Sequence, residues 1–285
     1  MKAQSFAYVR ARSLAEVFPL LVKHGEGARL LAGGQSLLAM LNLRLSAPDI
    51  LIDIMSVPGL SGIKVDGDKV RIGALTTHAE IEHSPDIARH LPLLAQAAPH
   101  IAHVAIRNAG TLGGSLALAD PAAEWPACCV ALDAELVVTG RTGARRVKAR
   151  DFFRGLYETD LRPNEVLTAV EFTIPGPQYR CAFLELAHRR GDYAIVGVAA
   201  MAKHAKGGVL ADVRLAYLGA GDKPVLAKKA MAAAEGRKPS AETAAAAAAA
   251  LAKDLDPSGD VYTGAAAKMH LARVLTGRAL AALAA

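Results

Sequence analysis

Cysteine and tryptophan are scarce in this sequence of 285 residues, which has three cysteines and one tryptophan. Protein iron–sulfur clusters are held by a set of four thiolates, so we do not expect this chain to hold one alone. Cys128 and Cys129 are adjacent within the apolar segment WPACCVALDAEL, and we interpret them as small core residues. His100 and His103 have no third ligand beside them, so a metal site is not expected there either.

Long apolar runs are also missing, since no uncharged stretch approaches the roughly 20 residues that span a bilayer. No long apolar segment follows the N-terminal MKAQSFAYVR, so we expect no secretory signal and a cytoplasmic protein. Basic residues cluster at positions 141–150 without interleaved aromatics or a groove-entering helix, so we do not expect nucleic-acid binding. A solvated hairpin, or a surface that meets an acidic partner, fits that segment better.

The common nucleotide-binding motifs G-x-x-x-x-G-K-[ST] and G-x-G-x-x-G are absent, but two glycine pairs are present. One lies in AGGQS, residues 32–36, and the other in TLGGS, residues 111–115. An isolated pair most simply indicates a tight turn with positive φ. Two such loops indicate backbone N–H groups that approach one diphosphate from two sides, with the Ser36 hydroxyl nearby and capping the next helix. On this hypothesis, valine at Gly33 or Gly113 would block the diphosphate directly and leave the fold largely intact.

Two carboxylates follow the second glycine loop in the segment DPAAEWP, residues 120–126. Because proline is unfavourable inside a helix, we expect the next helix to begin at Pro126, with Asp120 and Glu124 in the loop before it. Glu124 has two interpretations. It is either an N-terminal carboxylate favoured by the helix dipole or an acceptor for ligand hydroxyls, such as those of a ribose or ribityl chain.

The order of elements predicts a mixed α+β chain of three units. The segment SLAE, residues 13–16, has the pattern of a capping box that begins a helix, and Gly25 ends that helix. Strands are predicted in ARLLAG and DILIDI, and a second unit follows from residue 57. THAE, residues 77–80, predicts another capping box. After Pro175-Gly176-Pro177 we expect three strands and then a helical tail whose first helix is capped by Ser240.

Three segments together resemble the FAD-binding medium subunit of molybdenum hydroxylases, the relatives of carbon monoxide dehydrogenase and xanthine dehydrogenase. They are LLAGGQSLLAMLNLRL, IGALTTHAEIE and IRNAGTLGGSLALADPAAEWPA. The resemblance covers nearly the whole chain. It implies a PCMH-type FAD-binding region of two subdomains, residues 1–56 and 57–176. A C-terminal domain, residues 177–285, would contain a three-stranded antiparallel sheet and a helical bundle.

The resemblance also implies a set of cofactor contacts. The first loop wraps the FAD diphosphate through backbone amides, the second holds it from the other side, and Glu124 binds the polyol chain. Tyr193, in RRGDYA, covers one face of the isoalloxazine ring; the alternative is a half-buried aromatic of a strand. The residues assigned to FAD are Arg29, Ala32, Gly33, Gly34, Gln35, Ser36, Thr111, Leu112, Gly113, Gly114, Ser115, Glu124 and Tyr193.

Three positions depart from the family pattern. Arg29 replaces a lysine that is common in relatives, and either cation would suit the diphosphate. Ala109 stands where the family often has arginine, and Leu118 stands where it often has histidine. These differences concern the details of the site and leave the fold expectation unchanged.

The resemblance implies an oxidoreductase subunit with no acid–base dyad or nucleophile of its own. A large subunit with a molybdenum cofactor oxidises the substrate, and a small subunit carries two [2Fe–2S] clusters. FAD passes their electrons to an external acceptor, a quinone or NAD. The partners form a heterotrimer that is expected to dimerise, in the cytoplasm or at the inner face of the membrane.

A self-sufficient FAD oxidase or reductase would need a base near the flavin, which the sequence does not supply. A flavin-free assembly module conflicts with the two glycine loops.

Overall fold

The computed structural model describes residues 2–284 and begins with a small parallel sheet. Three strands in the order β1-β3-β2 pair in parallel and alternate with two helices. The elements are β1 (Ala7–Arg10), α1 (Leu14–His24), β2 (Ala28–Leu31), α2 (Leu37–Asn42) and β3 (Ile50–Asp53). Apolar side chains of α1, including Val17 and Leu21, are buried against this sheet. The first glycine loop therefore joins the carboxyl end of a parallel strand to a helix.

The ends of α1 test the predicted capping box. The Ser13 hydroxyl accepts a hydrogen bond from the Glu16 backbone N–H at 3.3 Å, as predicted. The Glu16 carboxylate accepts from the N–H of Arg12 and not from Ser13, so the reciprocal half of the box is wrong. Gly25, with φ of +51°, ends the helix as predicted.

A larger antiparallel sheet and a group of short helices form the second part of the chain. The strand order in this sheet is β4-β5-β10-β6-β7. In chain order the elements are β4 (Ile63–Asp66), β5 (Lys69–Gly73), α3 (His78–His83), α4 (Pro85–His90), α5 (Pro92–Ala97), α6 (Val104–Arg107), α7 (Leu112–Leu118), α8 (Glu124–Ala131), β6 (Glu135–Gly140), β7 (Gly143–Lys148), α9 (Ala149–Phe152), β8 (Phe153–Gly155), β9 (Glu158–Thr159) and β10 (Val166–Thr173). The capping box of Thr77 and Glu80 is complete, as predicted.

The basic segment 141–150 forms much of the β6–β7 hairpin, as predicted. Its charges are paired within the chain. Arg145 contacts Asp160 and Glu165 at 2.6 Å, and Arg146 contacts Glu171 at 2.9 Å. The carboxylates that pair with the basic residues of this hairpin therefore belong largely to the same chain.

The C-terminal part is an antiparallel sheet covered by helices. Its elements are β11 (Tyr179–Ala187), β12 (Ala194–Ala205), β13 (Val209–Leu218), β14 (Val225–Leu226), α10 (Lys228–Ala234), α11 (Ala241–Ala250) and α12 (Ala265–Ala282). The predicted three strands are joined by a fourth, β14, which pairs only with Ala216 and Tyr217. Ser240 caps α11 as predicted. Within residues 2–284, no helix combines the length and apolarity that crossing a bilayer requires.

Both faces of this C-terminal sheet are buried. Alternate β12 residues such as Val196 and Val198 pack on the C-terminal helices. Ala199 and Met201 point the other way and join the core of the antiparallel unit, near α5 and α8. The C-terminal sheet is thereby packed against α5 and against α8, the second of which follows the second glycine loop. The domain boundaries at residues 56/57 and 176/177 stay predictions.

Candidate functional site

The first glycine loop contacts the residues just before the second loop, although the two loops are far apart in the sequence. A Cβ built on Gly33 would lie 2.6 Å from the carbonyl carbon of Ala109, 3.0 Å from the Cα of Gly110, and closer still to the Ala109 oxygen. Only a residue without a side chain permits this approach. Positive φ, at +72°, belongs instead to Gly34. Gly33 is thus needed for the close contact with Ala109, and Gly34 is needed for the positive φ of the turn.

The first loop presents a row of free donors. Among residues 2–284, no hydrogen bond uses the backbone N–H of Gly33, Gly34, Gln35 or Ser36. The predicted cap of α2 is wrong, since the Ser36 side chain makes no capping hydrogen bond. Its hydroxyl is left free as well. Unpaired N–H groups from successive residues form the concavity in which proteins bind anions.

The second loop differs, because four of its five amides are already paired and only the Thr111 N–H has no acceptor within residues 2–284. The N–H groups of Leu112 and Gly113 donate to the carbonyls of Thr76 and Ala74, at 3.0 and 2.7 Å. Thr111 accepts from both residues that follow Gly113: its hydroxyl takes the N–H of Gly114, and its carbonyl takes the N–H of Ser115. The interpretation of residues 111–115 as a second amide nest is therefore not supported.

Gly113 also has a packing role. A Cβ at this position would lie 2.5 Å from the Ala74 Cβ and 2.7 Å from its carbonyl oxygen. A side chain at Gly33 or Gly113 would thus collide with protein. The expectation of a direct block on the diphosphate is corrected on this point.

A buried histidine connects the second loop with α8. His78 Nδ1 accepts a hydrogen bond from Trp125 Nε1 at 2.9 Å, and the His78 backbone N–H donates to the Gly110 carbonyl. Burial, assisted by the charge of Arg107, lowers the pKa of His78 to about 4. The ring is therefore neutral at physiological pH. The sequence analysis missed this residue, although the only tryptophan of the chain is its partner.

We expect His78 to make the protein less stable as the pH falls from about 6.5 to about 4. The unfolded chain binds the proton near pH 6.5 and the folded chain only near pH 4, so acid favours unfolding across that window. From pH 7.5 to pH 5 the histidine should cost about 2 kcal/mol. Urea unfolding of the wild type and His78→Asn measures the effect, because asparagine keeps an acceptor for Trp125 and does not titrate. Equal pH slopes for the two proteins would contradict this expectation.

The two carboxylates after the second loop are both buried. α8 begins at Glu124, so the predicted start at Pro126 is wrong, and Glu124 lies in the first turn. Burial, followed by the nearby charge of Asp120, raises the pKa of Glu124 to about 7. The helix dipole alone does not offset that burial. No hydrogen bond joins the Glu124 carboxyl to another residue within 2–284, so its oxygens remain open to a ligand.

Tyr193 precedes β12 and is 73% exposed, so the alternative of a half-buried strand aromatic is wrong. Partial desolvation of the hydroxyl, followed by the carboxylates of Asp120 and Glu124, raises the pKa of the Tyr193 phenol. The ring is thus exposed while its hydroxyl lies near the two carboxylates.

Arg29 donates to the carbonyls of Glu26 and Ala28, both at 2.8 Å, so one arm of its guanidinium is already engaged.

A buried arginine holds the segment on which the Tyr193 turn rests. Arg107 Nε donates to Glu82 at 2.7 Å, and its Nη1 donates to the carbonyls of Ile101 and Ala102 at 3.0 and 3.1 Å. A Cβ at Gly191 would lie 2.6 Å from the Ala102 oxygen, so the turn before Tyr193 sits directly on this loop. The sequence analysis did not identify Arg107 as a positioning residue.

These features fit the parts of FAD. The free amides of the first loop suit a diphosphate, the unpaired Glu124 carboxyl suits a polyol, and the exposed Tyr193 ring suits a flat aromatic system. Gly33 leaves room for close backbone contact with Ala109 and Gly110, just before the second loop. The residues present are therefore compatible with this cofactor.

Comparison with known proteins gives consistent matches along the chain. The family described as "FAD binding domain in molybdopterin dehydrogenase" matches residues 4–175, and "CO dehydrogenase flavoprotein C-terminal domain" matches residues 181–283. The chain is 39% identical over 280 residues to the nicotine 6-hydroxylase medium subunit of Paenarthrobacter nicotinovorans, covering 98% of each protein. It is 40% identical over 195 residues to the carbon monoxide dehydrogenase medium chain of Afipia carboxidovorans, covering 68% of each.

Solved structures agree with these matches. A chain of carbon monoxide dehydrogenase from Hydrogenophaga pseudoflava superposes with a TM-score of 0.96 at 37% identity, over 99% of this chain and 98% of that one. The predicted resemblance, the fold class and FAD as cofactor are confirmed. The chain belongs to the FAD-binding medium subunits of the molybdenum hydroxylases, a family of oxidoreductases, and its cofactor is FAD.

Proposed function

We propose that the chain holds FAD where its two glycine loops meet and transfers electrons within a heteromeric molybdenum hydroxylase. The electrons come from [2Fe–2S] clusters of a partner subunit and leave for an external acceptor, a quinone or NAD. The observation that carries the proposal is the row of four unpaired N–H groups at residues 33–36. Amides left without acceptors favour a ligand with negative charge.

Each part of the site has its own role in this proposal. Residues 32–36 bind the diphosphate through backbone amides and the Ser36 hydroxyl, with Arg29 as the nearby cation. The second loop lies on the opposite side of the diphosphate from the first. Its residues are Thr111, Leu112, Gly113, Gly114 and Ser115. Four of their five amides are paired within the chain, so contact with FAD falls to the Thr111 N–H, the Ser115 hydroxyl and the exposed Gly114. Glu124 accepts from the polyol hydroxyls, and Tyr193 covers one ring face.

Bound FAD supplies the redox chemistry, in that it accepts single electrons and releases them singly or in pairs. The chain's own residues bind and orient the cofactor, and no acid–base pair or nucleophile is needed. The thiols of Cys128 and Cys129 are fully buried, and burial raises the pKa of both. They are poor metal ligands, because ligation requires the thiolate. The clusters are therefore assigned to a partner.

The partners proposed are a large subunit with the molybdenum cofactor and a small [2Fe–2S] subunit, in a heterotrimer that dimerises. The names of the relatives support this arrangement, since they describe medium subunits or medium chains of hydroxylases and dehydrogenases. Substrate choice is assigned to the large subunit. The complex is placed in the cytoplasm or at the inner face of the membrane, where a quinone would be accessible.

We expect the complex, purified through a tag on this chain, to contain one FAD per chain, because the site offers one set of diphosphate donors. Acid extraction followed by chromatography measures the content. Reduction of the complex with its substrate, followed by rapid mixing with NAD or a soluble quinone, identifies the acceptor. A complex that carries no flavin and takes up none would contradict the proposal. Turnover of a small substrate by this chain alone would favour a self-sufficient oxidase instead.

A further inference from the structure

Tyr157 lies at the tip of the β8–β9 hairpin in a backbone conformation that tyrosine seldom adopts. Gly155 pairs with Glu158, so Leu156 and Tyr157 form a two-residue turn. The φ of Tyr157 is +56°. Where the second residue of such a turn has positive φ, glycine or asparagine is the usual choice. The tyrosine therefore strains a turn that a smaller residue would form more easily.

The base of this hairpin is well held, so the shape of its tip is imposed by the fold. Phe152 and Phe153 are buried, and their rings pack edge to face with centroids 5.2 Å apart. The Asp160 N–H donates to the Phe152 carbonyl at 2.8 Å, and Arg154 donates to the Asp160 carboxylate at 2.5 Å. Backbone strain that persists in such a setting is common where proteins bind ligands.

The hairpin tip reaches the segment between the second glycine loop and α8. The Tyr157 hydroxyl lies 3.4 Å from Oδ2 of Asp120, while Oδ1 of that buried carboxylate accepts from the Ala122 N–H at 2.9 Å. Desolvation, followed by the charge of Asp120, raises the pKa of the Tyr157 phenol. β9 also packs on α7, the helix that begins in the second glycine loop. Tyr157 thus lies at the edge of the candidate cofactor site.

The strand that follows Tyr193 meets the same segment through a glycine. The Gly219 N–H donates to the Pro121 carbonyl at 2.8 Å. A Cβ on Gly219 would lie 2.7 Å from the carbonyl oxygen of Ile195, which is two residues beyond Tyr193. Two turns that carry an exposed tyrosine, one before β12 and one between β8 and β9, therefore converge on the segment that begins at Asp120.

We propose that Tyr157 is a further FAD-binding residue, whose ring packs against the cofactor beside Asp120. This inference rests on the proposed function, which places the polyol chain at Glu124 and the flat ring system at Tyr193. The Tyr157 ring buries against FAD the surface that the rest of the chain leaves exposed. The contact with FAD offsets the strain of the turn.

A structural role alone does not account for tyrosine at this position. The side chain is 57% exposed, so it adds little to the core. Its hydrogen bond to Asp120 is long and therefore weak. Glycine would keep the turn and relieve the strain, so stability does not favour tyrosine. What tyrosine supplies is a rigid aromatic surface with one polar end, which suits contact with a ligand such as FAD.

The test compares FAD affinity with stability in Tyr157→Gly. The FAD dissociation constant of the flavin-depleted complex should rise about tenfold, because an aromatic contact is lost. The urea midpoint of the full chain without FAD should stay the same or rise, because the strained turn is relieved. A residue with only a structural role would not move affinity and stability in opposite directions.

Three further variants separate the ring from its alternatives. Tyr157→Asn tolerates positive φ without the flexibility of glycine, so it should also bind FAD about tenfold more weakly. Tyr157→Phe keeps the ring and should stay within about threefold of the wild type, since only a weak hydrogen bond is lost. Arg44→Gly is the matched control. Arg44 is exposed, follows α2 and has a φ of +59°, so the change should stabilise the chain and leave the dissociation constant unchanged.

The outcomes distinguish this contact from the proposed function. Wild-type affinity in both Tyr157→Gly and Tyr157→Asn would overturn the contact and leave the proposed function in place. A lower urea midpoint in both variants would assign Tyr157 a structural role and overturn the contact as well. A tenfold loss in Tyr157→Phe would assign the effect to the hydroxyl and overturn the ring contact. A wild-type complex that binds no FAD would overturn the proposed function, and the contact with it.

Discussion

Alanine at Gly33 is expected to weaken FAD binding, with the dissociation constant raised by up to about a hundredfold. The new Cβ would lie 2.6 Å from the Ala109 carbonyl carbon, and backbone does not yield cheaply to such a contact. Overpacking of this kind costs about 1–3 kcal/mol. The strain is relieved if the two loops separate, and separated loops no longer hold one ligand. A loss of about 3 kcal/mol corresponds to about a hundredfold in affinity.

The measurement is the flavin content of the purified complex, followed by titration with FAD. Gly277→Ala is the matched control, since this glycine lies within α12 and a Cβ there meets no atom within 4 Å. It should retain full flavin and gain roughly 0.5–1 kcal/mol of stability. Normal flavin affinity in Gly33→Ala would show that the contact between the loops is not needed for cofactor binding.

Methionine at Arg107 is expected to lower the free energy of unfolding by about 3–5 kcal/mol. Arg107 is 9% exposed and satisfies the Glu82 carboxylate and the carbonyls of Ile101 and Ala102. Removal of one partner from a buried pair leaves the other charge unpaired in a poorly solvated place. The two carbonyls lose their donor as well. The loop under the Tyr193 turn should loosen, so hydrogen exchange at Ile101, whose N–H donates to the Ala98 carbonyl, should also rise.

Denaturant unfolding of the full chain measures this loss. Arg146→Met removes a cation from the exposed β6–β7 hairpin and should leave the unfolding midpoint nearly unchanged. The double change of Arg107 and Glu82 to methionine should recover part of the stability, because no buried charge is then unpaired. A small loss in Arg107→Met, similar to that in Arg146→Met, would contradict the assigned role.

That the two glycine loops lie close together could be predicted from the sequence, but the state of their donors could not. Two glycine pairs, with Glu124 beyond them, indicated two loops around one ligand, and Gly33 does contact Ala109 and Gly110, just before the second loop. Whether an amide is free depends on neighbours that the local sequence does not name. Gly113 donates to Ala74, a residue beyond the end of β5. Two similar glycine pairs therefore differ in their hydrogen bonding.

The sequence preference of proline for the first position of a helix also predicted the wrong first residue for α8. Proline was expected to mark the first helical residue, yet the helix begins at Glu124, and Pro126 is its third residue. The first N–H groups of a helix have no intrahelical acceptor, so proline within that turn costs no hydrogen bond. The strand β14 was missed because two residues carry no alternation that a pattern could detect.

The contact between Gly33 and Ala109 also bears on when the cofactor can be acquired during synthesis. A nascent chain that ends before Ala109 has the free amides of the first glycine loop but lacks the second glycine loop. Tyr193 emerges later still, and the sheet formed by β11, β12 and β13 closes after it. Contacts between such distant segments form late, because the intervening chain must first be ordered. We therefore expect flavin uptake to follow translation of most of the polypeptide, and a truncated chain released early to bind no FAD.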